Sequence, residues 1–245
     1  KKVLIVGLGK TGFALINLFN QHECQIKVTD IKPIFDLNKQ VKRLKKINPT
    51  PLMTLGEHKD EDFIEADVVV YSSSVDPNLP QLTKAKEHGA EVFGEFAFAY
   101  ENCEKPVIAV CGSKGRSTVA HMIGFALKLD KKNVFVGGTN SEPFCNFLML
   151  PNKDEIDYVV VEVSPYQLQS MDNFHPVLAV YPNIEERVIE GRFKTAGEYI
   201  ENSLKVLKNL NHENFLIVNF DKLSSNSMLR NSQAQTFWYS RKSFV

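Results

Sequence analysis

The sequence feature that most constrains the fold is a glycine loop between a strand pattern and a helix pattern, near the middle of the chain. The β-branched apolar run 107–110 and Cys111 lead into the loop 112–115, and residues 119–127 follow with apolar residues at helical spacing. A strand, a glycine loop and a helix in this order bind phosphate groups, because backbone N–H groups and the positive helix end converge on the anion. This stretch therefore predicts a nucleotide-phosphate site.

The same loop departs from the usual phosphate loop. In that motif a lysine follows the last glycine and reaches the terminal phosphates, and a serine or threonine then holds magnesium. Ser117 and Thr118 supply the hydroxyl groups, but Arg116 stands at the lysine position and Val110 where the first glycine belongs. The loop thus indicates phosphate binding and, in the same residues, argues against full catalytic activity.

A second glycine loop lies near the start of the chain. The pattern Gly7-x-Gly9-x-x-Gly12 follows the apolar run 3–6, and Asp30 ends the next strand pattern, where a dinucleotide fold has the acid that binds a ribose. Taken alone, this pattern favours an NAD-dependent oxidoreductase. Any nucleoside diphosphate can use the same loop, however, and glycines that only permit a tight turn are a third interpretation. The hydroxyl-rich turn at Ser72 and Ser73 suits phosphate or sugar hydrogen bonds, with a plain solvated turn as the alternative.

Strand patterns alternate with helix patterns along the whole chain, which favours an α/β fold with parallel sheets and helices on both faces. The strand patterns are 3–6, 25–29, 68–71, 107–110, 133–136, 158–162, 178–181 and 215–218; helical spacing recurs over 12–20 and 198–210. Two glycine loops, each after an opening strand, predict two such units. We place the boundary at the polar stretch 101–106, which gives a Rossmann-like domain at 1–103 and a P-loop-type domain at 104–245.

The composition narrows the possible partners. Lysine plus arginine and aspartate plus glutamate both number 29, so a dominant nucleic-acid-binding surface is not expected. No apolar run approaches a transmembrane helix and no signal-peptide pattern is present, so we expect no membrane partner. Four scattered cysteines indicate reduced thiols and a cytoplasmic location. We expect a monomer, and a sequence trimmed at one or both ends, since it begins without methionine.

The ordered set of motifs resembles the Mur ligase family, most closely its D-glutamate-adding branch. The motifs are Gly7–Gly12, Val28–Asp30, Val70–Ser72 with Pro77, Gly94–Glu95, Gly112–Thr118, Gly137–Gly138, Val161–Leu168, Asn183–Glu186 and Val218–Asp221. The resemblance implies an ATP-dependent, Mg²⁺-using ligase of peptidoglycan synthesis, which joins an amino acid to a UDP-N-acetylmuramoyl sugar nucleotide and releases ADP. It covers the family's first two domains, and the third, amino-acid-binding domain has no counterpart in this sequence.

The resemblance also implies a role for individual residues. The implied sugar-nucleotide contacts are Gly7, Leu8, Gly9, Lys10, Thr11, Gly12, Asp30, Ser72, Ser73 and Thr139. The implied ATP contacts are Gly112, Ser113, Lys114, Gly115, Arg116, Ser117, Thr118, Asn219 and Asp221. Ser117 and Glu162 match the magnesium ligands, and Arg116 and Glu162 are the implied catalytic residues.

This sequence departs from the family pattern where the chemistry is densest. Arg116 replaces the phosphate-loop lysine and is not a neutral exchange, because its guanidinium is larger, planar and differently directed. Val188 replaces a metal-ligand histidine, and Ser203 falls at the position of a carbamylated lysine, with Lys205 two residues beyond. These three positions weigh against ATP and Mg²⁺ use. We therefore predict retained sugar-nucleotide binding with weak or absent amide formation; the alternative is a divergent, working ligase that uses Arg116 and Lys205.

Overall fold

The computed structural model describes residues 1–185, 192–223, 229 and 232–242. The chain divides into two compact units, here called the N-terminal unit (Lys1–Asn102 with Cys145–Met149) and the C-terminal unit (Cys103–Phe144 with Leu150–Val245). The binding roles assigned to 1–103 and 104–245 stay predictions.

The N-terminal unit is built on a parallel sheet with the strand order β3-β2-β1-β4-β5. Its strands are β1 (Lys2–Val6), β2 (Gln25–Asp30), β3 (Leu52–Leu55), β4 (Val68–Tyr71) and β5 (Glu91–Gly94). The central strands β1 and β4 are apolar on both faces and almost wholly buried, as expected for parallel strands covered on two sides. The strand order reverses between β1 and β4, and ligands of open α/β sheets bind at such a reversal, outside the carboxyl ends of the strands.

Helices connect these strands. They are α1 (Lys10–Gln21), α2 (Asn38–Leu44), α3 (Asp60–Ile64), α4 (Pro80–Glu87) and α5 (Glu95–Glu101). In α1 the residues Gly12, Leu15, Ile16 and Phe19 are buried, which is the i, i+3, i+4, i+7 spacing of a helix with one face on a core. The helix therefore begins directly after the glycine loop and holds that loop at the end of β1.

The C-terminal unit has a second parallel sheet, in the order β11-β10-β9-β6-β8-β7. Its strands are β6 (Val107–Val110), β7 (Val134–Gly138), β8 (Tyr158–Glu162), β9 (Leu178–Tyr181), β10 (Phe215–Asn219) and β11 (Gln235–Tyr239). Its helices are α6 (Arg116–Leu129), α7 (Pro165–Leu168), α8 (Ala196–Ser203) and α9 (Phe220–Leu223), with 3₁₀ turns at Lys153–Glu155 and Lys205–Asn209. Ala120 of α6 packs on β6, β7 and β8 through Val110, Val134 and Val160.

The α/β fold class with two parallel sheets is confirmed. The helix expected over 198–210 is instead two pieces, because α8 ends at Ser203 and a 3₁₀ helix begins at Lys205. Among the described residues, no helix is both long and apolar enough to span a bilayer.

Candidate nucleotide sites

The first glycine loop is shaped by a close backbone contact. Gly12 lies so near the carbonyl of Gly7 that a Cβ atom at residue 12 would be 2.1 Å from the Gly7 oxygen. Any larger residue would therefore push α1 away from β1. Gly9 and Lys10 are exposed at the start of α1, and Thr11 is half-buried beside them. The first-turn amides of this helix have no intrahelical acceptors, so they are available to an anion.

Asp30, the last residue of β2, links the glycine loop to the segment after β2 by hydrogen bonds. Its Oδ2 accepts the backbone N–H of Leu8 at 2.7 Å, and its Oδ1 accepts the N–H of Lys32 at 2.9 Å. Hydrogen bonds to a carboxylate are stronger than neutral ones, so the pair sets the relative positions of the β1 and β2 loops. The predicted ribose acid is thus also a structural link between two loops at the carboxyl edge of the sheet.

The serine turn lies on the other side of β1. Ser72 is buried, its N–H donates to the Val6 carbonyl at 3.1 Å, and its Oγ lies 2.7 Å from Ser74 Oγ. A Cβ atom at Gly7 would be 2.7 Å from Ser72 Oγ, so the two turns are in contact. Ser73 is half-buried in the same turn. The structure therefore brings Gly7, Asp30 and Ser72 together at one edge of the N-terminal sheet.

His58 lies beside the last residues of β2, and the sequence patterns gave it no functional role. His58 Nδ1 lies 2.9 Å from the hydroxyl of Thr29, a buried residue that precedes Asp30. Burial lowers the pKa of His58 from its ordinary value, and the charges of Asp30 and Asp62 offset part of that effect. The imidazole is therefore favoured in its neutral form.

The second glycine loop joins β6 to α6 in the C-terminal unit. Gly112 has a φ of +96°, and a Cβ atom there would be 2.2 Å from the Asn183 carbonyl oxygen, so glycine is required on both counts. Gly115 caps α6 in the left-handed region. The first-turn amides of α6 have no intrahelical acceptors and form the anion-binding end expected of such a loop.

Cys111 precedes the loop and is fully buried. Its N–H donates to the Val180 carbonyl at 2.9 Å. Burial raises the pKa of the Cys111 thiol to about 12, although a hydrogen bond with Tyr181 and the charge of Arg116 act in the opposite direction. The thiol is therefore protonated at neutral pH.

Asn183 attaches the loop to the segment after β9. Its backbone oxygen accepts the N–H of Ser113 at 3.1 Å, its Oδ1 accepts the N–H of Lys114 at 3.0 Å, and its Nδ2 donates to the Lys114 carbonyl at 2.9 Å. The Ser113 hydroxyl accepts hydrogen bonds from the Glu185 N–H (2.9 Å) and the Tyr199 hydroxyl (3.1 Å). Lys114 also forms a 3.0 Å ion pair with Glu185 at the surface. The two loop amides at Ser113 and Lys114 therefore already have protein acceptors.

Arg116 turns back on its own loop. Its Nη1 donates to the carbonyl oxygens of Gly112 and Ser113, the latter at 3.1 Å. Its Nε is buried and has no hydrogen-bond acceptor among the described residues. The guanidinium thus bonds to loop carbonyls, whereas a phosphate-loop lysine would extend toward the terminal phosphates.

Glu162 is the buried acid of this site. It ends β8 with no exposed surface, and its Oε2 accepts a 2.6 Å hydrogen bond from the Ser117 hydroxyl. Its Oε1 accepts a hydrogen bond from the Ser141 hydroxyl, a residue that the sequence interpretation missed. Thr139 joins the same group, since its N–H donates to the Glu162 backbone oxygen at 3.1 Å and its hydroxyl to Gln167 Oε1 at 2.7 Å.

The two positions considered for a modified lysine are both engaged elsewhere. The buried Ser203 hydroxyl donates to the Tyr199 carbonyl within α8 at 2.6 Å. Lys205 donates to the carbonyls of Leu168 (2.9 Å) and Gln169 (3.3 Å) and pairs with Asp172 at 2.7 Å. These acceptors suit an ammonium group and would repel the anionic carbamate of a modified lysine.

The predicted adenine contacts lie at the end of β10. Asn219 Oδ1 accepts the N–H of Asp221 at 3.0 Å. Asp221 in turn accepts hydrogen bonds from the Ser240 hydroxyl (2.6 Å) and the Arg241 N–H (2.9 Å), and these bonds lower the pKa of its carboxyl group. Both residues share the carboxyl edge of the sheet with the loop, two strands away. Val188 lies outside the described residues.

Comparison with known proteins identifies the family. The model of the Mur ligase middle domain matches residues 110–245, and the model of the MurD-like Mur ligase N-terminal domain matches residues 1–94. The chain belongs to the Mur ligase family.

Curated relatives agree with this assignment. A UDP-N-acetylmuramoylalanine–D-glutamate ligase of Bdellovibrio bacteriovorus is 32% identical over 99% of this chain and 52% of its own length. Another protein with the same name, from Alkaliphilus metalliredigens, is 30% identical over 100% of this chain and 53% of its own length. The chain thus spans about half the length of the curated relatives it matches. These relatives are ligases and give no support to the oxidoreductase interpretation.

A solved Mur ligase shares the fold. The UDP-N-acetylmuramate-alanine ligase of Thermotoga maritima superposes with a TM-score of 0.56 at 16% sequence identity, over 97% of this chain and 52% of that one. At this identity the likeness concerns the fold alone.

Proposed function

We propose that this chain is the sugar-nucleotide-binding and ATP-binding part of a Mur ligase that adds D-glutamate to UDP-N-acetylmuramoyl-L-alanine. We propose further that its amide-forming activity is weak or absent. The relatives described above carry the first half of this proposal. The second half rests on one observation, namely that the Arg116 guanidinium bonds to the Gly112 and Ser113 carbonyls.

The sugar nucleotide would bind at the carboxyl edge of the N-terminal sheet. The first-turn amides of α1 offer hydrogen bonds to a diphosphate, and Asp30 fixes the loop that presents them. Ser72 and Ser73 add hydroxyl groups at the neighbouring strand end. On this proposal Gly9, Lys10 and Thr11 lie nearest the phosphates, because they surround the open start of the helix.

The C-terminal residues fit Mg²⁺ with a nucleotide phosphate. Mg²⁺ prefers oxygen ligands. Glu162 at the end of β8 and Ser117 in the first turn of α6 supply two of them, Oε2 and Oγ, which lie 2.6 Å apart. The amides of that turn would hold the phosphate, and bound Mg²⁺ would neutralise its charge during phosphoryl transfer. Ser117, Thr118 and Glu162 thus have the chemistry to bind and orient the nucleotide.

Weak catalysis follows from what these residues lack. A positioned cation at the terminal phosphate stabilises transition-state charge, and loss of one pre-organised group in a catalytic site costs about 10²–10³ in rate. Arg116 is held by loop carbonyls, and the Lys205 ammonium is held by two carbonyls and Asp172. We accordingly propose a cytoplasmic, monomeric protein that binds its nucleotides and turns them over slowly.

The test uses the full-length gene product. Phosphate release is measured with ATP, Mg²⁺, UDP-N-acetylmuramoyl-L-alanine and D-glutamate, and calorimetry measures binding of the sugar nucleotide, with NADH as the comparison ligand. We expect sugar-nucleotide binding, no NADH binding, and phosphate release that does not depend on D-glutamate. Turnover near one per second, which lies in the ordinary enzyme range, would contradict the weak-catalysis half. Binding of NADH together with a failure to bind the sugar nucleotide would contradict the proposed sugar-nucleotide site.

A further inference from the structure

Ser141 donates a hydrogen bond to Glu162 Oε1, whereas Ser117 donates to Oε2 of the same carboxylate. Ser141 follows β7 and belongs to none of the phosphate-binding motifs of the sequence. We propose that Ser141 is an additional oxygen ligand of a divalent cation held by Glu162 and Ser117. This inference rests on the proposed nucleotide site and deepens it.

The Glu162 carboxylate is buried and has a serine hydroxyl on each of its oxygens. Glu162 has no exposed surface, and a buried carboxylate is costly unless its oxygens are compensated. Ser117 donates to Oε2 and Ser141 to Oε1, so one hydroxyl lies on each oxygen. The protein thus places hydroxyl and carboxylate oxygens side by side, which are the ligands that Mg²⁺ and Mn²⁺ prefer.

The Ser117 and Glu162 oxygens are spaced like neighbouring ligands of one cation. Neighbouring ligands at about 2.1 Å from an octahedral Mg²⁺ lie about 3 Å apart. The Ser117 and Glu162 oxygens, at 2.6 Å, are already near that separation. A serine hydroxyl can rotate its proton away and present a lone pair instead. Each serine can therefore stop donating to the carboxylate and offer a lone pair to a cation by rotation of its hydroxyl group.

The segment that carries Ser141 is fixed in place by hydrogen bonds of Thr139. Thr139, two residues earlier, donates its N–H to the Glu162 carbonyl at 3.1 Å. Its hydroxyl donates to Gln167 at 2.7 Å, and Gln167 belongs to the capping box that begins α7. Ser141 is thereby held against the acid by bonds that do not involve its own hydroxyl.

Exchange of the ligand atom distinguishes a metal ligand from a structural hydroxyl. The full-length Ser141→Cys variant and the wild type are titrated with Mn²⁺ and with Cd²⁺ in the presence of ADP, with free Mn²⁺ followed by electron paramagnetic resonance. A thiolate prefers the softer Cd²⁺, so a direct ligand should raise the Cd²⁺-to-Mn²⁺ affinity ratio about tenfold or more. Ser170→Cys is the matched control, since the Ser170 hydroxyl donates to the Gln167 carbonyl and should leave the ratio unchanged.

Ser141→Ala provides a second variant. We expect its Mn²⁺ affinity to fall about tenfold with the thermal midpoint close to that of the wild type. If the cysteine variant keeps the wild-type ratio, or the alanine variant binds Mn²⁺ as tightly as the wild type, Ser141 is not a ligand, while the proposed function stands. A wild-type protein that binds no Mn²⁺ with ADP would overturn this inference and the proposed ATP site together, and sugar-nucleotide calorimetry would then report separately on the N-terminal unit.

Discussion

The side chain of Asn183 pairs with the backbone of Lys114 as a second strand would, accepting its N–H at 3.0 Å and donating to its carbonyl at 2.9 Å. These residues are 69 positions apart in the sequence. The shape of the phosphate loop therefore depends on the segment that follows β9. A substitution in that segment should alter the conformation or the stability of the loop.

Asn183→Ala should loosen the loop. Two hydrogen bonds are lost, and we expect the free energy of unfolding to fall by about 1–2 kcal/mol. Urea unfolding of the variant and of Asn152→Ala, an exposed asparagine at a surface turn, measures this difference. Equal stabilities of the two variants would show that the pairing adds nothing.

Arg116→Lys should strengthen ATP binding. A lysine ammonium is the usual phosphate-loop cation and lacks the guanidinium group whose Nη1 reaches the Gly112 and Ser113 carbonyls. We expect the ATP dissociation constant to fall about tenfold, equivalent to about 1.4 kcal/mol. Lys128→Arg, an exposed exchange in the last turn of α6, is the control and should leave ATP binding unchanged. Weaker binding by Arg116→Lys would show that Arg116 itself is the phosphate cation.

Asp30→Asn should weaken sugar-nucleotide binding and leave ATP binding unchanged. An amide has one acceptor oxygen, so its NH₂ group would face either the Leu8 or the Lys32 N–H, at a cost of about 1–3 kcal/mol. Calorimetry with both ligands should show at least a tenfold loss for the sugar nucleotide alone. Asp36→Asn, an exposed change in the following turn, should bind both ligands normally.

His58 should make the stability of the chain depend on pH. Burial lowers the pKa of the folded-state imidazole, so the unfolded chain binds more protons between that pKa and the ordinary value of 6.5. The contribution of His58 to the free energy of unfolding is therefore fully present above pH 6.5. It is lost as the pH falls from 6.5 through the lowered pKa of the folded state. Unfolding free energies of wild type and His58→Gln at pH 7.5 and 5.5 should differ in slope, with the smaller loss in the variant. Identical slopes would rule out His58 as the source.

The sequence predicted the inner strands of both sheets and the largely buried edge strand β7, but it missed the three other edge strands. Strands β1, β4 and β6 contain apolar runs rich in β-branched residues because both faces are covered, and such runs are visible in a sequence. The strands β3, β5 and β11 were not predicted. Each is at the edge of its sheet and only half-buried, so it carries neither a continuous apolar run nor a strict alternation.

The site was predictable where motifs are local and not where contacts are distant. Both glycine loops follow their strands and open helices as expected, because turn geometry is encoded in neighbouring residues. The contacts of Asn183 with Lys114 and of Ser141 with Glu162, which are 69 and 21 positions apart, had no local signal. They depend on which strand ends meet at one edge of the sheet, which sequence spacing does not specify.

The burial of Cys111 has a consequence for the chemistry of the phosphate loop. Thiolates, not thiols, react with peroxide and alkylating reagents, and a pKa of about 12 leaves almost no thiolate at neutral pH. A cysteine directly before a phosphate loop would otherwise be an obvious oxidation sensor. Here it acts as an inert apolar residue, so the loop should keep its proposed nucleotide affinity under oxidative stress. Thiol-reactive probes placed elsewhere on the chain could then report on nucleotide binding without modifying Cys111.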